Sequence, residues 1–205
     1  MMLNDSPLTD VSVPVTADWN TWADIHINVF LTAGINRVAF NAFTNDDRGA
    51  MNIDYIEVTP GSGVIDAYEA EALGNTLDGT AVVMNDAAAS GGKYVGDIGN
   101  GAANTLQFNN VHVPSSGTYR MVVYFANAES RGSHDYNSQI VDRYADIRVN
   151  GASAKRVYFR NTFAWNVYRT TVVDVNLKAG NNTIQFSNSA AYAPNIDKIE
   201  IASQF

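Results

Sequence analysis

The sequence APNIDKIEI, residues 193–201, decides the fold of this chain. Residues two apart in a β-strand share a face, so Asp197, Ile199 and Ile201 are predicted to point the same way. The two isoleucines indicate a face that packs in a core, which places the Asp197 carboxylate at the end of an apolar face. A buried carboxylate is costly unless a cation or hydrogen-bond donors compensate its charge. The stretch therefore predicts a core strand with a bound partner at Asp197.

The same pattern occurs a second time as MNIDYIEV, residues 51–58. The match extends upstream, so that residues 19–54 align with residues 165–197 once one gap is allowed. Only the second copy has a long segment before it. We therefore predict that residues 1–59 are the C-terminal part of a module and that residues 64–205 are a complete related module. A single domain containing two similar hairpins is the alternative.

Composition limits the class of protein. The chain has 205 residues, of which 46% are hydrophobic and 11% aromatic, as expected for a globular protein with a core. Its net charge of -8 argues against nucleic acid and anionic membranes as partners. Cysteine is absent, which excludes disulfides, cysteine nucleophiles and thiolate zinc sites. No apolar run is long enough to span a bilayer, and the N-terminus lacks the basic and apolar parts of a signal peptide. A mature or excised piece of a secreted protein would have such a sequence.

Strand patterns dominate the chain. Apolar residues alternate at residues 25–31 and 171–177, and both faces are apolar at residues 119–125, as in a central strand. The pair Asn150-Gly151 predicts a hairpin turn. Residues 66–73 are good helix formers, but their context of strands and turns favours a strand. The sequence predicts an all-β fold with antiparallel sheets, a β-sandwich or jelly roll.

A family resemblance rests on four stretches in order: YEAEA at 68–72, SGGKYVG at 90–96, GTY at 117–119, and LKAGNNTI at 177–184 leading to NID at 195–197. Together they resemble carbohydrate-binding modules of families 6 and 35, with family 35 the closer. The resemblance covers residues 65–202, and residues 17–58 resemble the last third of the same fold. It implies a galactose-binding-like jelly roll, calcium near one edge, a sugar site in the loops at one end, and no catalysis by the module.

The residues themselves support calcium. Glu69 and Glu71 share a face if their segment is a strand, and they converge with Asp197 if the first and last strands are neighbours. Calcium takes six to eight oxygen ligands, so such a cluster suits it. The alternative is that both glutamates form a solvated edge. The resemblance implies Glu69, Glu71 and Asp197 as ligands, together with a main-chain carbonyl near Lys93. Asp54 has no matching glutamates upstream, so the first copy is expected to lack the metal or to borrow ligands from another chain.

Sugar binding needs an aromatic ring for stacking and planar polar side chains that recognise hydroxyl groups. The resemblance implies Trp165, in the loop 160–166, and Asn195, before the last strand, as sugar contacts. A core tryptophan and a turn asparagine are the alternative interpretations.

Further sugar contacts are less defined. Asp97 stands at a position that is often tyrosine in family 6, which leaves Tyr94 or Tyr192 as the stacking partner on that side. Glu129 and Arg131 follow the central strand and are expected near the same end. Arg131 suits the carboxylate of a uronate, but it is equally expected as a structural partner of a neighbouring acidic side chain.

The sequence therefore predicts a non-catalytic, calcium-containing carbohydrate-binding module of a secreted bacterial polysaccharide-active protein. No catalytic residues are assigned, because no carboxylate pair, Gly-x-Ser-x-Gly or His-Glu-x-x-His pattern is evident. A small jelly-roll lyase or esterase and a structural or adhesive surface module are the alternatives. The expected partner is a polysaccharide or oligosaccharide, with galactose, uronic acids and glucans all open. Residues 1–59 are expected to pack on the second module or to exchange strands between chains.

Overall fold

The computed structural model describes residues 1–4, 6–7, 13–27, 29, 31, 35–40, 51–59, 65–134 and 137–203. The chain divides into two compact units, Met1–Ser62 and Gly63–Gln204. Among the described residues, no helix has both the length and the apolar character needed to cross a membrane.

The first unit contains a small antiparallel sheet of β1 (Met2–Leu3), β2 (Ser6–Pro7) and β3 (Val38–Ala39), in the order β2-β1-β3. The described residues of the stretch 25–31 form no strand, so that prediction is wrong for them. Residues 51–59 also lie outside any strand, and Ile53 and Ile56 are exposed. An alternating sequence becomes a strand only when neighbouring strands form hydrogen bonds with its backbone N–H and C=O groups.

In the part of the second unit that the structure describes, strands alternate with turns and loops, and Ser90–Gly92 forms a 3₁₀ turn. In chain order the strands are β4 (Ile65–Glu69), β5 (Thr76–Asp78), β6 (Val82–Asn85), β7 (Lys93–Gly96), β8 (Thr105–Val113), β9 (Gly117–Ala126), β10 (Ser130–His134), β11 (Asn137–Ile140), β12 (Arg143–Val149), β13 (Lys155–Phe159), β14 (Arg169–Leu177), β15 (Gly180–Ser187) and β16 (Asn195–Ser203).

Two antiparallel sheets form a sandwich. The six-stranded sheet has the order β14-β9-β16-β7-β6, with β4 also paired to β16, and the five-stranded sheet has the order β13-β12-β15-β8-β5. A separate hairpin joins β10 to β11. The predicted all-β, antiparallel β-sandwich of jelly-roll type is confirmed.

The core lies between the two sheets. Its largest side chains form edge-to-face pairs, Phe108 with Phe186 at 5.8 Å between ring centroids and Phe125 with Phe159 at 4.9 Å. The second pair joins the two sheets, since β9 and β13 belong to different ones. The predicted central strand is β9, which lies between β14 and β16.

The segment of helix formers is a strand up to Glu69, as predicted from its context. All of β4 pairs with β16, from Ile65 opposite Ala202 to Glu69 opposite Lys198. This pairing satisfies the backbone and buries Ala70 just beyond it. Tertiary pairing therefore overrides the local helix propensity, which amounts to only a few tenths of a kcal/mol per residue.

Several strands end at the same end of the sandwich. β7, β9, β13 and β15 end there, and the strands that follow them in the chain, β8, β10, β14 and β16, begin near it. The loops 97–104, 127–129, 160–168 and 188–194 therefore lie together, and we call them the end loops. Backbone hydrogen bonds join them, including Thr162 N–H to Asn127 O at 2.6 Å and Ala193 N–H to Ile98 O at 2.9 Å.

Candidate functional site

Three carboxylates lie near one another where β4 runs beside β16, and we call Glu69, Glu71 and Asp197 the carboxylate cluster. The Ser90 backbone N–H donates to Asp197 Oδ1 at 2.9 Å, and the Ser90 hydroxyl donates to Glu69 Oε1 at 2.7 Å. Ser90 therefore connects the first strand of the sandwich to the last.

Gly91 brings the same turn against Glu71. Its φ of +60° lies in the left-handed region, and an added Cβ would stand 3.2 Å from Glu71 Oε1. Any other residue would meet both backbone strain and a close contact there. The double glycine of the sequence SGGKYVG therefore lets the turn pack closely against the carboxylate cluster.

A bulge places Asp197. The register of β16 against β9 shifts between Ile196 and Lys198, so Ile196 and Ile199 both face the core. Simple alternation predicts that Asp197 shares a face with Ile199 and Ile201, whereas Asp197 is the extra residue at the register shift, so the face of its side chain stays a prediction. Its side chain is nevertheless buried, at 3% exposure.

The negative charge of the carboxylate cluster is only partly compensated by Lys93, Lys198 and hydrogen bonds. Burial, and then the charges of Glu69 and Glu71, raise the pKa of Asp197 to about 6, against the lowering effect of the Ser90 hydrogen bond. Burial raises the pKa of Glu71 as well, with Glu69 adding to the effect and Lys93 opposing it. Each glutamate also has one buried oxygen, Oε2, with no hydrogen-bond partner.

These features fit a hard cation. Two buried, unpartnered carboxylate oxygens beside a third carboxylate are the oxygen-rich, anionic surroundings that calcium prefers. As they stand, no three His, Cys, Asp or Glu side chains in the described residues are grouped closely enough to hold a metal ion. Calcium binding at the carboxylate cluster therefore requires local adjustment of these side chains, and it stays a prediction. Lys93, whose carbonyl was the further expected ligand, begins β7 directly after the Ser90–Gly92 turn.

The end loops hold the second group of expected residues. Trp165 lies in the loop 160–168 with 41% of its side chain exposed, and Tyr192 in the loop 188–194 with 40% exposed. Arg143 connects them, because its guanidinium carbon lies 4.8 Å from the ring centroid of Trp165 and 5.7 Å from that of Tyr192. Two aromatic side chains are thus held at the surface around one cation.

Arg143 is itself fixed. Its Nε donates to Glu129 Oε2 at 2.7 Å and its Nη1 donates to Ala193 O at 2.8 Å. Glu129 therefore serves as an ion-pair partner of Arg143, which contacts both aromatic side chains. Arg131 lies in β10, and its side chain is outside the described part of the structure.

Buried amides support the loop that carries Trp165. Asn127 is fully buried, and its Nδ2 donates to Val141 O at 2.9 Å and to Phe159 O at 3.2 Å. Asn161 Nδ2 donates to Glu129 O at 2.7 Å, while its Oδ1 accepts from the Phe163 N–H at 2.8 Å. Buried amides therefore anchor the part of the loop that precedes Trp165.

Phe163 is a candidate saccharide contact that the sequence did not indicate. Its φ of +68° is rare for a bulky residue, and its ring is 68% exposed. Strain of this kind persists where the surroundings enforce it, as the Asn161 hydrogen bond does here, and it is common at binding sites. No sequence pattern marks a residue with positive φ that is not glycine, asparagine or aspartate.

The remaining expected residues lie around Gly96. The Oδ1 of Asn195 and the sulfur of Met84 would stand 3.3 Å and 3.2 Å from a Cβ placed on Gly96. The Tyr94 hydroxyl donates to the same sulfur at 3.2 Å. Asp97 is exposed next to Gly96, with a φ of +55°, and its carbonyl accepts from the Thr80 hydroxyl at 2.9 Å.

The structure thus brings Trp165, Tyr192 and Glu129 together through Arg143, and Asn195, Tyr94 and Asp97 together around Gly96. Backbone bonds between residues 98–100 and 191–193 join the two groups. Arg143 was missed, although a signal existed. It occupies the inward phase of β12, in line with Ala145 and Ile147, where a charged residue needs an explanation.

Comparison with known proteins gives two family matches. Residues 66–203 match the model of carbohydrate binding module (family 35), and residues 3–60 match that of carbohydrate binding module (family 6). A 1,6-alpha-glucosyltransferase of Sporosarcina globispora is 31% identical over 199 residues, which is 96% of this chain and 14% of that protein. An exo-beta-D-glucosaminidase of Amycolatopsis orientalis is 34% identical over 143 residues, 69% of this chain and 13% of that protein. The chain thus spans only about one-seventh of the length of these relatives.

Solved structures agree with the fold. A family 35 carbohydrate binding module from Clostridium thermocellum is 61% identical, with a TM-score of 0.62 over 67% of this chain and 98% of that one. An exo-beta-1,3-galactanase from Phanerochaete chrysosporium, solved with beta-1,3-galactotriose, is 30% identical, with a TM-score of 0.58 over 70% of this chain and 30% of that one.

Proposed function

The chain belongs to carbohydrate-binding module family 35, and we propose that it binds saccharides through the end loops without acting on them. The observation that carries this proposal is the pair of half-exposed aromatic side chains, Trp165 and Tyr192, held around the ion-paired guanidinium of Arg143. Aromatic rings pack on the C–H faces of sugars, and fixed planar polar groups select hydroxyl positions. Because the rings are anchored before a ligand arrives, little ordering entropy is lost on binding.

We propose further that the chain serves as an ancillary module of a longer, secreted bacterial protein that acts on polysaccharides. Its relatives are enzymes of which the matched region is a small part. Tethered to such an enzyme, a binding module raises the effective concentration of substrate without any new catalytic contact.

Calcium is proposed as a structural ion at the carboxylate cluster. Glu69, Glu71 and Asp197 would supply side-chain oxygens, and the carbonyl near Lys93 a further ligand. The support is the pair of buried Oε2 atoms without partners and the raised pKa of Asp197. The ion would supply positive charge that lets three carboxylates remain ionised together. The cluster joins β4 to β16, so the ion would stabilise the closed sandwich.

Isothermal titration of the whole chain tests the saccharide proposal. The probes are beta-1,3-galactotriose, trigalacturonate and isomaltotriose, each measured with the wild type and with Trp165→Ala. We expect at least one probe to bind and the substitution to weaken binding at least about ten-fold, a loss of about 1.4 kcal/mol. None of the probes should be cleaved over the same period.

Trp22→Ala is the matched control, since Trp22 is an exposed tryptophan of the first unit, at 58% exposure. It should bind as the wild type does. Equal loss in both variants, or hydrolysis of a probe by the isolated chain, would contradict the proposal.

A further inference from the structure

The sequence contains the pair Asn-Gly twice, at Asn100-Gly101 and at Asn150-Gly151, and alanine follows both. Asparagine before glycine favours loss of the side-chain amide, because glycine has no Cβ to shield its own backbone nitrogen. Both asparagines are exposed, and their φ values are nearly equal, at +51° and +48°. Sequence, exposure and φ therefore do not distinguish the two pairs, so a difference in their reactivity has to come from hydrogen bonds.

The side-chain amide of Asn150 is held in place. This residue lies in the turn of the β12–β13 hairpin, as the Asn-Gly signal predicted, and its Oδ1 accepts from the Thr183 N–H at 2.9 Å. Its Nδ2 donates to Asn182 Oδ1 at 2.7 Å. Asn182 is itself buried and bonded to the turn between β14 and β15. The Asn150 side chain therefore has to break both hydrogen bonds before its Cγ can turn toward the Gly151 nitrogen.

The side-chain amide of Asn100 lacks such support. In the part of the chain that the structure describes, the Asn100 side chain forms no hydrogen bond, whereas its backbone N–H donates to Ala191 O at 2.7 Å. The Gly101 N–H donates to Asn188 O at 3.4 Å, which is long for a bond of this type. The amide is therefore free to rotate toward a backbone nitrogen that is only weakly bonded.

We propose that Asn100 is a site of spontaneous deamidation, whereas the fold protects the same pair at Asn150. In mildly alkaline water, hydroxide removes the Gly101 N–H proton, and the nitrogen attacks Cγ of Asn100. A succinimide ring forms as the Cγ–Nδ2 bond breaks, and the amide nitrogen takes a proton from water and leaves as ammonia. Water then opens the ring at either carbonyl. The products are aspartate and isoaspartate, in which the main chain continues through the side chain.

The modified residue would lie where two of the end loops are joined. The N–H groups of Asn100 and Gly101 donate to carbonyls of the loop 188–194. The same loop carries Tyr192 and accepts a hydrogen bond from Arg143. Both products add a negative charge, and isoaspartate also adds a carbon to the main chain, which displaces the bonds between the loops. Deamidation therefore weakens saccharide binding, a consequence that rests on the proposed end-loop site.

Peptide mapping by mass spectrometry measures both asparagines in one sample of the whole chain, kept in warm, mildly alkaline buffer. In the folded chain we expect Asn100 to react at least about five-fold faster than Asn150, because two hydrogen bonds of ordinary strength oppose the reaction at Asn150. In guanidinium chloride, where the fold protects neither pair, the two rates should be similar. Equal rates in the folded chain, faster reaction at Asn150, or a difference that persists in denaturant would overturn the proposal.

The effect on binding is measured on the modified chain itself, which ion exchange separates by its added negative charge. Titration with a probe that binds the fresh wild type should show affinity at least about three-fold weaker. Asn100→Gly is the matched control, because glycine adopts the positive φ of this position and has no amide to lose. After the same incubation, its affinity should equal that of the fresh variant.

The two measurements separate this inference from the proposed function. Unchanged affinity of the modified chain, or an equal loss in incubated Asn100→Gly, would overturn the link between deamidation and saccharide binding. Failure of every probe to bind the fresh wild type would contradict the proposed function instead. The rates from peptide mapping decide the modification site in either case, since they do not depend on a saccharide.

Discussion

At the scale of single residues, fixed polar side chains determine where the aromatic surfaces stand. Arg143 has only 14% of its side chain exposed, and it links a carboxylate, a carbonyl and two rings in the end loops. Asn182 has the same kind of role at the opposite end of the sandwich, where it closes the turn between β14 and β15. Such residues contact several elements at once, so their effect exceeds that of one hydrogen bond.

Arg143→Lys should weaken saccharide binding although it keeps the charge. Lysine cannot donate to Glu129 and Ala193 in the fork geometry, nor stack as a planar group on Trp165. We expect affinity to fall at least about ten-fold and unfolding free energy by about 2 kcal/mol, from the loss of charged hydrogen bonds. Titration with the bound probe and thermal denaturation measure the two effects. Arg120→Lys is the control, and wild-type affinity in Arg143→Lys would show that Trp165 does not need this support.

Asn182→Ala should destabilise the fold without touching the end-loop saccharide site. Asn182 is 2% exposed, its Nδ2 donates to the carbonyls of Val111, Lys178 and Gly180, and its Oδ1 accepts from the Lys178 N–H. Removing it leaves the buried Val111 carbonyl and three partly buried backbone groups without these hydrogen bonds, which costs about 2–3 kcal/mol. The melting temperature should fall by about 4–12 °C in a chain of this size. Asn181→Ala, an exposed neighbour, should change it by only about 1–2 °C.

At the scale of elements, the pairing of β4 with β16 turns isolated carboxylates into a cluster. Glu69 is the last residue of β4, Glu71 follows in the turn, and Asp197 is displaced from the regular alternation of β16 by the register shift. The Ser90–Gly92 turn then packs against all three carboxylates. No single strand or turn contains all three carboxylates. Their mutual repulsion therefore arises only when β4, β16 and the Ser90–Gly92 turn pack together.

A rise in pH should lower the stability of the folded chain through the carboxylate cluster, and calcium should raise it. The pKa of Asp197 is about 6 in the folded chain, against an ordinary value of 3.8. The folded state therefore holds the proton more tightly, so in chelator this group's contribution to stability falls as pH rises from about 4 to about 6, by up to about 3 kcal/mol. Calcium should stabilise the ionised cluster, so its effect on melting temperature should grow over the same range. At pH 7 and 100-fold over its dissociation constant, calcium adds about 2.7 kcal/mol, or about 5–11 °C.

Asp197→Asn provides the comparison for this experiment. Melting curves from pH 4 to pH 7, in calcium and in chelator, should show a smaller pH dependence in chelator and a weakened calcium response. Full calcium stabilisation in Asp197→Asn would remove Asp197 from the proposed ligand set. A calcium effect that does not change between pH 4 and pH 7 would contradict titration of the cluster.

At the scale of the whole molecule, the two units differ in how completely their residues are packed. The second unit encloses a continuous core between two sheets. The first unit contains exposed side chains such as Trp19, Ile35 and Tyr55, at 80%, 101% and 66% exposure. Its stretch 51–58 repeats the sequence pattern of β16 but is not part of a strand, whereas β16 pairs with β4 and β9.

Removal of residues 1–62 should leave the second unit folded and functional. The Clostridium thermocellum module, 98% of which is matched by this chain, shows that a structure of this size exists on its own. We expect the melting temperature of the shortened chain to change by less than about 5 °C and its saccharide affinity by less than about three-fold. Denaturation and titration of both forms check this. Unfolding of the shortened chain would instead show that the second unit depends on the first.

The sequence by itself determined the all-β class, the central strand β9, the Asn150–Gly151 hairpin and the family. These depend on alternation, turn chemistry and ordered motifs, which are local properties of the chain. It also indicated the residues of the carboxylate cluster, though from the resemblance as much as from spacing, and their role as metal ligands stays a prediction.

Only the tertiary structure decided the rest. Three features depend on which strands are neighbours and in which register: the bulge at Asp197, the strained Phe163, and the place of Arg143 between Trp165 and Tyr192. The described residues of the stretch 25–31 form no strand, although their sequence alternates. Alternation indicates which side chains favour burial. A strand forms only where neighbouring segments complete its backbone hydrogen bonds, and a site forms only where neighbouring segments surround its charged side chains.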